Sequence, residues 1–231
     1  MSAGVCAEMG QMMKRRLLIF GCSGHGKVIW DLAWKMKRYE EICFLDDNPQ
    51  GRSVMGAPLI GGRDFADFKA ADELIVAIGN GGIRGKLQKY FADKGMKIAT
   101  LVHPNSTIGS HVTLGRGTVV MAGAVINSET QIGEGCIVNT ASSVDHDCIL
   151  GNFCHVAVGA HVAGGVYVGD FTWIGAGAVV SNHISICADS LIGAGAVVVR
   201  DIERPGTYMG VPARRKEPEN RRETGGKVSF G

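Results

Sequence analysis

The chain has 231 residues, 45% of them apolar, with 24 Lys and Arg against 22 Asp and Glu and a formal charge of +2. That length allows two modest domains, and the apolar content is too high for a disordered chain. A charge this close to zero carries no electrostatic footprint for nucleic acid or a membrane surface, and both are set aside as partners.

Residues 1–15 contain no apolar run of the length that a signal peptide or a spanning helix needs. Met12 and Met13 serve equally well as starts, so this stretch reads as a disordered leader. Leu17-Leu18-Ile19-Phe20 then forms a short apolar run. It is followed by Gly21-Cys22-Ser23-Gly24-His25-Gly26-Lys27 and a segment with Val28, Leu32 and Met36 at helical spacing. The order is strand, glycine loop, helix. A second run, Ile42-Cys43-Phe44-Leu45, ends in Asp46-Asp47, and a third, Leu74 to Ile78, ends in Gly79-Asn80-Gly81-Gly82. Parallel strands that all finish in polar or glycine loops place those loops on one sheet edge, where open α/β sheets bind ligands. A glycine loop at a helix N-terminus lets backbone N–H groups approach a phosphate, although a tight turn without a ligand fits the GxxGxG spacing too. Residues 16–100 number about 85, too few for both halves of a dinucleotide fold, so one nucleotide is expected.

From Ile108 to Val198 an Ile, Leu or Val stands at every sixth position without a gap. Neither a helix nor an ordinary strand has that period. Four residues after the anchors come small side chains such as Ala124, Thr130, Cys136, Ser142, Cys148 and Cys154, and corner glycines return every eighteen residues at Gly115, Gly133, Gly151 and Gly169. Three hexapeptides therefore close one triangular coil, and about five coils fit the span: a parallel β-helix. Three of the seven cysteines take inward positions and none has CxxC spacing, which suggests reduced, structural thiols and a cytoplasmic chain.

Such a column needs only aliphatic, small and glycine residues, so the run Asn139 to Asp147, with Asp145, His146 and Asp147 on a corner, calls for a reason. An imidazole flanked by carboxylates is equipped as a general base, the acid fixing its tautomer; a solvated polar corner is the plain alternative. His155, with Trp173 eighteen residues on at the same corner of the next coil, reads as a surface histidine stacked on an aromatic. His111, His161 and His183 have no comparable neighbours and receive no role. From Gly159 onward the corners are bare, at Gly164-Gly165, Gly175-Ala176-Gly177 and Gly193-Ala194-Gly195. Turns that simply favour glycine, or a strip for an extended chain, both account for that. Arg214, Arg215 and Lys216 open a polar tail over 214–231, which reads as a solvated end, with contact of Arg214 or Arg215 to a cofactor phosphate as the alternative.

The hexapeptide column resembles the left-handed β-helix acyltransferases. With Gly-Cys-Ser-Gly-His-Gly, Phe-Leu-Asp-Asp and Ala-Ile-Gly-Asn before it, nearly everything between Arg16 and Arg214 is similar to the nucleotide-sugar N-acetyltransferases typified by the bacillosamine-pathway enzyme, and to the related sialic acid O-acetyltransferases. The resemblance implies a Rossmann-like nucleotide-binding domain over 16–100 and a left-handed parallel β-helix over 101–213. It implies an acetyl-CoA-dependent N-acetyltransferase acting on a UDP-linked amino sugar of the 4-amino-4,6-dideoxy type, without a metal. Ser23, Gly24 and His25 then face the diphosphate and ribose, Asp46 and Asp47 the uridine, with Gly79 beside them. Where the family often has two asparagines after the third strand, this chain has Asn80-Gly81. His146 becomes the base, Asp147 the acid that orients it in place of the commoner Glu, and Asn139 part of the same catalytic segment. His155 turns a hydrogen bond towards the thioester carbonyl, and Gly164, Ala176 and Ala194 touch the cofactor. Three chains are expected to associate, with sites between neighbouring columns. Sugar O-acetylation, on a sialic acid or another sugar, and transfer to a GDP-linked amino sugar are the nearest alternatives. A zinc-dependent β-helix carbonic anhydrase and a non-catalytic nucleotide-binding scaffold stand further off.

Overall fold

The computed structural model of the protein describes residues 15–48 and 51–216. The leader and the tail beyond Lys216 lie outside them. The N-terminal region contains strands β1 (Arg16–Phe20), β2 (Glu41–Leu45), β3 (Ser53–Val54), β4 (Ala57–Gly61), β5 (Glu73–Val76) and β6 (Lys97–Ile98), and helices α1 (Gly24–Met36) and α2 (Gly81–Asp93). They make one sheet in the order β3-β4-β2-β1-β5-β6, parallel except for the β3–β4 hairpin. The three apolar runs are β1, β2 and β5, side by side; every residue of β1 is buried, as a strand covered on both faces requires. Two elements go beyond the sequence reading. β4 joins the sheet beside β2 despite its Pro58, and α2 forms despite Gly81, Gly82 and Gly85. Asn80 offsets part of the cost of those glycines, its side chain accepting the Ile83 N–H at 3.0 Å as an N-cap.

The hexapeptides form a parallel column of three faces, with partners eighteen residues apart: Val119↔Ile137 on the first, Val125↔Ser143 on the second, Gln131↔Ile149 on the third. The face sheets have eight, six and five strands. The anchors from Val120 to Val198 are buried and fill the interior; in the first coil Leu114 is half-buried and Ile108 stays 38% exposed. The small inward positions do more than leave room. Thr118 donates to the carbonyl of Gly133, Thr130 to that of Asp145, and the thiols of Cys136, Cys148 and Cys154 to those of Gly151, Ala163 and Gly169, each fifteen residues on. Corner carbonyls that would otherwise be buried without a partner are satisfied by the coil before them.

The first face carries the N-terminal region. Leu101, Val119, Met121 and Ile137 point outward there and share one core with Leu17, Ile29, Leu32 and Phe44. The column ends in a hairpin of Gly206–Met209 against Arg214–Arg215, so the first residues of the expected tail are ordered strand. His155 and Trp173, expected at a corner, begin strands on the first face, where they stack with ring centroids 4.9 Å apart.

Candidate functional site

The glycine loop has a separate use for each glycine. Gly21 takes φ 108°, and a Cβ there would meet the Ala77 carbonyl oxygen at 3.0 Å. At Gly26 a Cβ would lie 2.1 Å from the Gly21 oxygen, so α1 can seat against the loop only without a side chain. Gly24 meets nothing within 4 Å and, like Ser23, is exposed. Ser23 holds the N-cap position without a side-chain cap bond, and no acid stands in the first turn of α1. The N-terminal end of that helix thus opens onto a cleft of about 500 Å³ lined by Cys22, Ser23, Lys27, Asp46, Asn48 and Ser53. Asp46 shapes this cleft: its carboxylate accepts the Cys22 N–H and the Asn48 N–H, both at 2.9 Å, and those bonds hold its pKa below the usual carboxylate range despite partial burial. Asp47 lines a neighbouring cleft, paired with the Arg63 guanidinium. His25 is turned inward, its Nε2 buried without a hydrogen-bond partner.

His146 and Asp147 occupy the corner between the second and third faces. The imidazole Nδ1 lies 2.6 Å from the Asp147 carboxylate, so the shorter acid reaches it directly. Asp145 is engaged elsewhere, accepting from the Asn127 amide at 2.7 Å and from the His146 N–H at 2.8 Å. The Asp147 hydrogen bond, with the Asp145 charge behind it, raises the pKa of His146 above the ordinary imidazole value. With Nδ1–H spent on the acid, Nε2 is left as the basic nitrogen. Gly164 stands one coil on, and a Cβ there would sit 2.7 Å from both Cε1 and Nε2 of that ring. Gly164→Ala is therefore expected to push the imidazole off Asp147 and lower its NMR titration midpoint; an unchanged midpoint would show that the ring is held by something else.

Asn139, Ala176 and Ala194 line the corner between the first and second faces. Asn139 accepts the Thr140 N–H at 2.8 Å through its oxygen, which turns its amide nitrogen to His155 Nε2 at 3.1 Å. His155 is only 9% exposed, and burial, aided by the Arg84 charge, pushes its pKa down to about 3. The ring is neutral with Nε2 as acceptor, which puts its proton on Nδ1, a buried atom without a partner. Below Asn139 the corner is bare: Ala176 and Ala194 are exposed, and a Cβ on Gly177 or Gly195 would meet nothing within 4 Å.

The two expected groups of site residues are thus not brought together within one chain. His146, Asp147 and Gly164 flank one side of the second face, while Asn139, His155, Ala176 and Ala194 flank the other. His111 and His161 have partners after all: Glu129 for the first and the Ser143 hydroxyl, at 2.8 Å, for the second. Each is eighteen residues from its histidine, so reading the sequence in coils rather than along the chain finds both. The sequence reading also missed Arg84, buried where the two regions meet. Among the described residues no group of three or more His, Cys, Asp and Glu is placed to hold a metal ion, and no helix is long and apolar enough to cross a membrane.

Residues 16–91 match the family model described as the PglD N-terminal domain. A curated relative, the UDP-N-acetylbacillosamine N-acetyltransferase of Bacillus subtilis (strain 168), is 32% identical over 119 residues, 47% of this chain and 52% of that protein. The match thus spans about half the length of that relative. Among solved structures, the acetyltransferase domain of PglB from Neisseria gonorrhoeae FA1090 is 39% identical with a TM-score of 0.85, covering 88% of this chain and 100% of that one. That domain has also been solved in complex with acetyl coenzyme A. PerB from Caulobacter crescentus, in complex with CoA and GDP-perosamine, is 36% identical with a TM-score of 0.82, covering 87% of this chain and 97% of that one.

Proposed function

The chain belongs to the hexapeptide-repeat, left-handed β-helix acetyltransferases that act on nucleotide-sugars, and on that premise we propose that it transfers acetyl from acetyl-CoA to the amino group of a UDP-linked 4-amino sugar. The observation that carries this reading is the His146–Asp147 pair, with a free Nε2, on a corner that Gly164 keeps bare. Acetyl-CoA supplies the acetyl group as a thioester. His146 Nε2 takes the proton from the attacking amine nitrogen as the N–C bond forms and the C–S bond breaks, and that proton is then passed to the departing sulfur. Asp147 holds the imidazole in the tautomer this step needs and stabilises the imidazolium. The second hydrogen of the Asn139 amide, with His155 fixing its orientation, is available to a developing oxyanion.

Because these groups lie on opposite sides of the second face, a working site needs two chains, the His146 corner of one against the Asn139 corner of the next. Three columns with their second faces turned to a common axis satisfy this three times over. The bare Gly177 and Gly195 positions leave the exposed backbone on which an extended pantetheine chain can lie. The open α1 N-terminus, with Ser23, Gly24 and Gly79 near it, suits the diphosphate, and Asp46 and Asp47 line the clefts offered to the base. The test is thiol release from acetyl-CoA with a panel of UDP- and GDP-linked 4-amino sugars and their hydroxyl counterparts. Turnover confined to the UDP-linked amines supports the reading; a preference for GDP-linked amines or for hydroxyl sugars would overturn the substrate assignment.

A further inference from the structure

Arg84, in the first turn of α2, is 1% exposed, yet no carboxylate among the described residues meets its guanidinium. All of its partners are backbone carbonyls. Nη1 donates to Ile78 and Gly79, both at 2.8 Å, in the loop that leads from β5 into α2. Nε donates to Gly135 at 2.6 Å, and Nη2 to Phe153 at 2.9 Å and Cys154 at 3.4 Å, on successive coils of the column. A buried cation without a counter-ion is costly, and what offsets that cost is the set of backbone carbonyls it satisfies, which an apolar side chain in the same seam would leave without a partner. The planar fork also fixes both the distance and the angle between the groups it bonds.

We propose that Arg84 is a positioning residue for acetyl transfer: it sets the glycine loops of the nucleotide-binding region at a fixed place against the coil that carries His155. The inference rests on the acetyltransferase reading above. Its reach extends one bond further. Cys154, whose carbonyl it holds, directly precedes His155, and His155 in turn orients the Asn139 amide. The charged and titratable groups acting on His155 are Arg84 from α2 and His25 from α1; burial and the Arg84 charge also push His25 down to about 4. Were His155 protonated, Nε2 would become a donor and the Asn139 amide would have to turn away from Thr140.

The experiment compares Arg84→Lys and Arg84→Met with the wild type in the full chain. It reads kcat, acetyl-CoA affinity, thermal melting and the NMR midpoints of His25 and His155. Arg84→Lys keeps the charge and loses the fork; it is expected to lower kcat at least tenfold while acetyl-CoA affinity stays within twofold and both midpoints stay low. Arg84→Met is expected to lose turnover as well and to raise both midpoints. Folded variants with kcat within twofold of wild type would overturn the proposal. A loss of turnover matched by equal losses of acetyl-CoA binding and melting temperature would also overturn it, since that is the mark of a merely structural residue. Should Arg84→Met not fold, Arg84→Lys decides. Wild-type turnover on the panel is scored separately: its absence sinks the acetyl-transfer reading, while the midpoints still report whether Arg84 governs the two rings.

Discussion

His146→Ala is expected to lower kcat about a thousandfold while acetyl-CoA binds nearly as in the wild type; a general base commonly contributes a factor of this order. The ring is an exposed corner side chain, so its removal leaves the buried anchors of the column untouched. What disappears is a ring whose Nδ1 is held by a carboxylate at 2.6 Å and whose Nε2 keeps a free lone pair. Asp147→Asn has a different signature. The carboxylate raises the imidazole pKa, so neutralising it lowers that pKa, and the basic form persists to lower pH. The acidic limb of kcat/KM should move down in pH while the maximum falls less than in His146→Ala. Unchanged turnover in His146→Ala, measured at saturating acceptor, would remove the residue as base.

Acid should unfold this protein earlier than its carboxylates alone require. His25 and His155 are neutral in the fold, with pKa values of about 4 and about 3, against the ordinary imidazole value of 6.5 in the unfolded chain. Between these limits the unfolded chain binds two more protons than the folded one, so stability falls with falling pH, by about 1.4 kcal/mol per pH unit for each ring. Above pH 6.5 the two rings contribute no slope. At pH 4.5 the combined loss is on the order of 5 kcal/mol, a large part of a typical folding free energy. Urea melts at a series of pH values from 7 to 4.5 check this, with His155→Gln as control. That variant keeps an amide beside Asn139 and removes one titrating group, so its slope should be about half as steep. A flat profile in the wild type would show that neither ring is held neutral.

The column was legible because its period is a direct record of its geometry. An aliphatic anchor every sixth residue and a glycine corner every eighteenth leave little else to build. The strands β1, β2 and β5 were equally plain, as short apolar runs ending in turn residues. β4 was not, since Pro58 interrupts Ala57-Pro58-Leu59-Ile60-Gly61 and glycines flank it, and the three glycines of α2 hid a helix whose packing against the column outweighs its poor propensity. The chemistry of His146 and Asp147 could be read because the two residues adjoin. Arg84 could not, because every group it bonds is a backbone carbonyl, which has no letter in a sequence. The burial of His155 was hidden for a related reason: it depends on where the first domain lands on the column, a long-range packing choice that no local spacing records.

The inward hydroxyls and thiols that reach fifteen residues ahead have a consequence for how such a chain can change in length. Each coil furnishes donors for the coil after it, while backbone pairing runs at eighteen, so both registers survive an insertion or deletion only when it comprises one whole turn. Any other change must be extruded as a loop at a corner. In the evolution of this scaffold, then, a reactive corner can be moved along the axis only in discrete steps of one storey, and loops are the one continuous variable left for adjusting what it accepts.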